Sequence, residues 1–427
     1  MSSDTRVNNF LDPHARPRVS RSWIARYGLS YLGINIAWAA PSQLLIAKQV
    51  LNFYGDGQKE KYFALIMAIG GVVSVIATPL WGYLSDWTRS RFGRRAPWIF
   101  LGSLIPALCL VWLGSAPNFA QMILAWAIFQ IVIAAAVGAC QAVAPDTVPT
   151  QQYGLVSGVL GLTYTLAVVL GTAIGTLFSL TPAYWVTAAA TMLLVMQFLL
   201  HFRDVPTGSK VLAFARINKD KDEATAASCQ PVGAQAQAAH PYADFRWVFI
   251  ARLVVTLGNV TALFYLFYYL RDKIKLADPD LGVLILTGIY AVAVLIFAVV
   301  SGLLSDHLHK RRIFVAAASA GVAIACLIMA FAAQFVLVII AALVLGISWG
   351  TYMAVDQALI NEVLPIPANR GRDIGIMNIA VVTPNALAPV FAAASLQYLG
   401  GYAGLYILSG SLALLGAILI YKVRHVA

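Results

Sequence analysis

The sequence predicts an all-α membrane protein of twelve spanning helices, arranged as two related six-helix bundles with both termini cytoplasmic. Three observations lead there. The chain of 427 residues is 60% hydrophobic and only 11% charged, whereas a soluble domain carries roughly a quarter charged residues. Its apolar residues form twelve runs, each near the ~20 residues that cross a hydrocarbon core. Two charged turns recur at matching places in the two halves. The net charge of +11 does not point to nucleic acid, because the basic residues gather at the ends of the apolar runs.

Taken in order, the polar arm 1–23 has no cleavable apolar segment near its start. The first bundle, 24–202, holds runs at about 24–50, 62–84, 98–116, 122–144, 155–179 and 183–202. A polar, Ala/Gln/Pro-containing interval at 203–246 reads as a flexible cytoplasmic linker. The second bundle, 247–421, holds runs at about 247–269, 281–304, 313–333, 335–360, 374–399 and 402–421, followed by a short tail, 422–427. Every run must be helical, since lipid cannot satisfy free backbone groups. Of the 29 Lys and Arg, 22 fall on the side of the termini, six on the other side and Arg252 inside a span. The excess on short loops places that side, and both termini, in the cytoplasm. Of the four cysteines, Cys109, Cys140 and Cys326 fall in spans, which argues against a disulfide framework. No metal-ligand cluster, nucleotide-binding loop or catalytic triad is visible, so neither an enzyme nor a cofactor is expected.

The most informative stretch joins the second and third spans. GYLSDWTRSRFGRRAP, 82–97, sets Asp86 beside Arg89, Arg91, Arg94 and Arg95. Basic inner loops are general in membrane proteins, but that does not account for the spacing of Gly82, Asp86 and Gly93. GLLSDHLHKRR, 302–312, is a shortened echo across the linker, and PDTVPTQQYG after span 4 is echoed by NEVLPIPANRG after span 10. Asp146 thus corresponds to Glu362. Recurrence of both turns at matching ordinals points to a parallel repeat of six helices.

The turn at 82–97 resembles the signature between helices 2 and 3 of the major facilitator transporters. Its extended form, SDWTRSRFGRRAPWI, resembles the version in glycoside–pentoside–hexuronide:cation symporters and sucrose:proton symporters. The resemblance implies the major facilitator fold, with substrate held between the halves near mid-membrane. It also implies a gate. Asp86, Arg94, Arg95 and Asp146 would form one cytoplasmic charge cluster, and Asp306, Arg311 and Glu362 its mirror. In the superfamily such clusters hold the halves together when the protein opens outward; the alternative is that the charges only set topology.

The first span carries the resemblance further. GINIAWAAPSQLL, 33–45, is similar to the Gly-Ile-Gln-Phe-Gly-Trp-Ala run that opens helix 1 of sucrose symporters, and YGLSYLGIN, 27–35, to the opening of melibiose permeases. Asn35 stands at the Gln of the first group and at a sugar-binding Asp of the second. Asn35, Trp38 and Ser42 share one helix face. An amide suits a hydroxyl pair, and an indole offers an apolar face to a pyranose ring. The alternative use of such polar residues is hydrogen bonding within the bundle.

Departures from both relatives matter as much. Ser74 and Thr78 stand where melibiose permeases carry two cation-binding acids, so sodium, which prefers anionic oxygens, is not the expected coupling ion. Gln130 and Gln141 stand at the proton-associated Asp and the Arg of helix 4 in sucrose symporters; Gln130 becomes a substrate-contact candidate instead. In SWGTYMAVDQALINEVLP, 348–365, Asp356 is the one acid placed inside a span. Such a group is costly and marks a pathway or a partner; it can serve as proton carrier, with Arg252 as its possible ion-pair partner. Trp349, Tyr352 and Asp356 form one stripe. Asn259, Tyr265 and Asn378 complete the candidate substrate contacts. Pro384 and Pro389 are expected to kink span 11.

The function implied is a multi-pass plasma (inner) membrane importer of a sugar or glycoside, sucrose- or disaccharide-like, driven by protons through alternating access, acting as a monomer in lipid. An uncoupled facilitator, an exporter of amphipathic molecules and a transport-dead sensor on the same fold are the competing readings.

Overall fold

A computed structural model describes residues 16–87, 93–202, 242–308, 310–363 and 370–423. Among the described residues the secondary structure is helical throughout. In chain order the helices are α1 (Arg21–Ala40), α2 (Ile46–Trp87), α3 (Ala96–Ser115), α4 (Phe119–Thr147), α5 (Tyr153–Leu177) and α6 (Leu180–Leu199). There follow α7 (Ala243–Phe264), α8 (Pro279–Leu308), α9 (Arg311–Phe331), α10 (Phe335–Val363), α11 (Arg370–Tyr398) and α12 (Tyr402–Leu419).

The first two predicted spans follow one another without a loop in a stretch of 61 residues, Arg21 to Trp81. At ~1.5 Å per residue it would be about 90 Å long if straight, twice the full thickness of a bilayer. It turns back instead at Gly55, whose φ of 60° and ψ of −158° leave the helical region. A second irregularity lies within the first span, where Pro41–Leu45 forms a π-helical turn. Pro41 cannot donate to the carbonyl four residues back, and lipid cannot supply the missing donor. Beside it the Ser42 hydroxyl donates to two other carbonyls, those of Trp38 at 2.7 Å and Ala39 at 3.3 Å. The same economy recurs at Thr187, Thr191, Ser319 and Ser348, each of which returns its hydroxyl proton to the carbonyl one turn earlier. α11 continues past Pro384 and Pro389, each of which leaves the carbonyl four residues earlier without its intrahelical donor.

The chain divides into two compact units. One takes in Met1–Gly57 with Val72–Thr225, the other Gln58–Gly71 with Ala226–Ala427. The middle stretch of α2, Gln58–Gly71, is therefore grouped with the second unit, although in sequence it belongs to the first half. Within the first unit α1 packs on α5 and α6, and α3 on α4 and α6. Within the second, α7 packs on α11 and α12, and α9 on α10 and α12. These pairings match ordinal for ordinal, as a six-helix repeat requires.

The first unit's core joins Leu32 and Ile36 of α1 to Ala167 of α5. Away from the basic end, buried Gln49 ties three helices together. It donates to the carbonyl of Leu113 at 2.7 Å and accepts from the fully buried hydroxyl of Tyr184 at 2.9 Å. Gln49→Leu is expected to remove both bonds and leave the tyrosine hydroxyl orphaned, at about 1–3 kcal/mol. The thermal midpoint of the detergent-solubilised protein should fall, and adding Tyr184→Phe should recover part of the loss. A midpoint unchanged in the single variant would show that the network carries no stability.

Candidate functional site

In the first unit the candidate surface is the least buried stripe of the first span. Tyr31, Asn35, Trp38 and Ser42 are half-buried, while Leu32, Ile34, Ile36, Ala37, Ala39 and Ala40 are buried. The polar groups on this stripe are partly engaged. The Asn35 amide donates to the carbonyl of Tyr31 at 2.7 Å. The Ser42 hydroxyl is committed to the π-turn carbonyls described above. Asn35 is thus tied to its own helix by one amide hydrogen, and it shares the half-buried stripe with Tyr31 and Trp38. Gln130 is buried on α4, one residue from Phe129, whose ring stacks on Trp126 at 5.0 Å.

In the second unit the stripe expected on α10 is present, together with its cation. Arg252 of α7 lies 3.3 Å from Asp356, with side chains 11% and 5% exposed. Tyr352 stands one turn before Asp356 on α10 and is itself buried. The rings of Trp349 and Tyr352 stack at 5.3 Å with 14° between their planes. The aromatic pair, carboxylate and guanidinium are continuous, and they rest on a core of Val248, Ala251, Val255, Val355 and Leu359. The i, i+3, i+7 spacing made the α10 stripe legible, and Arg252 was the one basic residue placed inside a span.

Asn259, also on α7, is buried with no hydrogen-bond partner for its Oδ1 among the described residues, and the same holds for the Thr261 hydroxyl. Asn378 sits exposed on α11. Tyr265 lies elsewhere: its hydroxyl donates to the backbone carbonyl of Glu60 at 2.8 Å, at the end of α7 remote from Arg252. Around that contact are Lys59, Glu60, Asp272 and Tyr402. Sequence reasoning missed this group because it used the KEK and RDK clusters, 59–61 and 271–273, only to set topology.

At the basic end of the first unit, Asp146 accepts from both expected arginines, Arg94 at 2.9 Å and Arg95 at 3.0 Å. Gly93 precedes them with φ 99°, a left-handed turn that glycine adopts without strain. The N-terminal segment docks beside this cluster. Arg16 donates to the carbonyls of Pro145 and Val148, on either side of Asp146. Val19 and Gln152 exchange two hydrogen bonds of 2.8 and 3.1 Å. The side chains of Asp86, Asp306 and Glu362 lie outside the described residues. Arg311 opens α9, and its neighbour Arg312 lies over the ring of Tyr421 at 5.8 Å.

The family model of the Major Facilitator Superfamily matches residues 25–277 and 248–427. Among characterised proteins, 107 residues are 25% identical to the general alpha-glucoside permease of Schizosaccharomyces pombe, covering 25% of this chain and 19% of that protein. A stretch of 48 residues is 42% identical to mouse solute carrier family 45 member 3, covering 11% of this chain and 9% of that protein. The matches thus span less than a fifth of either relative's length. Two solved structures are similar in fold. One is a peptide transporter of the POT type in complex with sulfate, with TM-score 0.72 and 11% identity over 99% of this chain and 97% of the other. The second is the human organic anion transporter MFSD10 (TETRAN), with TM-score 0.61 and 16% identity over 94% and 99%.

A buried ion pair is costly to break and cheap to remove whole, because a single deletion strands a charge. Arg252→Leu and Asp356→Leu are each expected to lower stability by about 3–5 kcal/mol, and the double replacement by much less. Thermal unfolding of the four proteins closes the cycle. Additive losses would mean that the two side chains are not coupled.

Proposed function

The chain belongs to the major facilitator superfamily, and we propose that it is a secondary active transporter importing a sugar or glycoside together with protons. The observation that carries this reading is the stripe on α10: an acid buried in a span, paired with Arg252 and continuous with two stacked aromatic rings. Protonating Asp356 would weaken its hold on Arg252, giving an element with two arrangements that a proton can bias. Trp349 and Tyr352 offer apolar faces to a sugar ring. Asn35 and Trp38 on the first span, with Asn259 and Gln130, supply amides and an indole for its hydroxyls and ring. The partial similarity to an alpha-glucoside permease supports a glycoside as cargo and makes α-linked disaccharides the first probes.

The basic end is assigned to the cytoplasm by its excess of Lys and Arg, in a plasma-membrane protein working as a monomer. Arg94, Arg95 and Asp146, with Asp86, then act as the cytoplasmic gate. Uncoupled facilitation keeps one specific observation in its favour: Gln130, Ser74 and Thr78 leave the first half without an acid in its spans.

Uptake of labelled sucrose and maltose into proteoliposomes tests the reading. Under an imposed proton gradient the unmodified protein should accumulate sugar, and sodium at fixed pH and potential should add nothing. Asp356→Asn should abolish accumulation while exchange of labelled for unlabelled sugar survives, because exchange needs no net proton movement. Accumulation by Asp356→Asn would remove the residue from coupling, and no accumulation by the parent would establish the facilitator.

For the binding surface, Asn35→Ala should cost one or two hydrogen bonds, about tenfold to a hundredfold in sugar affinity by equilibrium binding. Unchanged affinity would move the site away from the first span.

A further inference from the structure

The turn between α4 and α5 carries Asp146, yet α4 holds its own end weakly. Pro145 lies inside the last turn of α4 and has no N–H, so the carbonyl of Gln141 loses its intrahelical donor. The last carbonyls of any helix have no partner within it. The N–H of Val148 returns to the carbonyl of Ala144 at 2.9 Å, and the Thr147 hydroxyl to that of Val143 at 2.6 Å. The carbonyls of Pro145 and Val148 are met from far along the chain.

Their donor is Arg16. Its Nη1 donates to the carbonyl of Pro145 at 2.5 Å and to that of Val148 at 3.3 Å. Its positive charge also suits a helix C-terminus, where the backbone dipole is negative. Further on, Val19 pairs with the side-chain amide of Gln152 much as one strand pairs with another. The N–H of Val19 donates to Gln152 Oε1 at 2.8 Å, and Gln152 Nε2 donates to the carbonyl of Val19 at 3.1 Å. Ser20 then caps α1, its hydroxyl accepting from the N–H of Trp23 at 3.2 Å. Between these fastenings Pro17 fixes its own φ and keeps Arg16 out of the helical region. A segment restricted in this way loses less freedom when it lies extended. Every one of these contacts falls within the first unit.

The arginines divide the turn between them. Arg94 and Arg95 both take Asp146 at Oδ2, while Arg16 takes backbone carbonyls before and after that residue. Asp146 therefore meets its arginines from a turn whose backbone is held by the segment preceding α1, and not by α4 alone.

We propose that Arg16–Ser20 is a strap that fixes the α4–α5 turn, with Arg16 and Gln152 as positioning residues for the cluster of Arg94, Arg95 and Asp146. That the cluster serves transport rests on the reading above; the order of the turn is independent of it and of the cargo.

A spin label at Gln151→Cys, exposed on the turn, in a background with the native cysteines replaced, reports local order by continuous-wave electron resonance in nanodiscs. Arg16→Ala and Gln152→Ala should each raise the mobile fraction about fivefold, as the loss of one or two hydrogen bonds implies. Arg16→Lys, which keeps a cation for the carbonyls, should recover most of the order. Folding is checked by elution profile, and if Arg16→Ala does not fold, Arg16→Gln and Gln152→Ala carry the same comparison. Parent-like mobility in the folded variants would overturn the strap. Positioning is tested by a thermal double-mutant cycle between Arg95→Ala and Asp146→Ala, run with Arg16 present and with it replaced. The coupling should fall by about half or more without Arg16. Equal lowering of all four midpoints, with the coupling unchanged, would make the strap a source of stability only and overturn the positioning role. In proteoliposomes Arg16→Ala should also slow uptake of labelled maltose at unchanged KM. If mobility and coupling change while uptake does not, the strap stands and the cluster's part in transport falls.

Discussion

Hydrocarbon offers no hydrogen-bond partner, and nearly every feature of this molecule follows from that constraint. Backbone groups are satisfied within helices, and beside the irregular turn at Pro41 the Ser42 hydroxyl adds donors to the carbonyls of Trp38 and Ala39. Threonine and serine side chains return their protons to their own helices. Buried amides such as Gln49 find a donor and an acceptor on two other helices. Against that background Asn259 Oδ1 and the hydroxyls of Thr261, Tyr406 and Ser409 stand out, since burial leaves them without a partner among the described residues.

The same constraint explains where ions occur. Charges that face water at the basic end, such as Arg94, Arg95 and Asp146, stay a quarter or more exposed in two of three cases, and exposed pairs of that kind contribute little to stability. Arg252 with Asp356, and Lys59 with Asp272, are different. Each sets a nearly dry charge against its opposite, so each is strongly directional and strongly coupled. A pair of this kind is a poor source of stability relative to apolar packing, yet removing one partner strands the other. These two pairs lie at different depths of the second unit, one continuous with aromatic rings, the other binding a segment that the sequence assigns to the first half.

Fold class, span count and the internal repeat were legible in the sequence because they depend on composition and on the order of residues along the chain. The apolar runs fix helices, and the paired turns at Asp146 and Glu362 fix the repeat; the helix pairings of the two units then follow it. The α10 stripe was legible too, since i, i+3, i+7 spacing is a property of one helix. Asp356 and Arg252 were the only acid and the only base placed within spans, which made their pairing the natural expectation.

What needed the tertiary structure was every relation between residues far apart in the chain. Tyr27 bonding the carbonyl of Cys140, Arg16 reaching the carbonyls beside Asp146, and Tyr265 meeting Glu60 across 205 positions leave no periodic trace. Lys59 and Asp272 look like ordinary loop charges in one dimension, because burial is not a property of sequence position. Nor does the sequence show that α2 changes allegiance at Gly71, since a glycine's missing side chain acquires meaning only from the helix that approaches it. Local order sets which helices form; the close approach of distant backbones decides which polar groups are left with only each other.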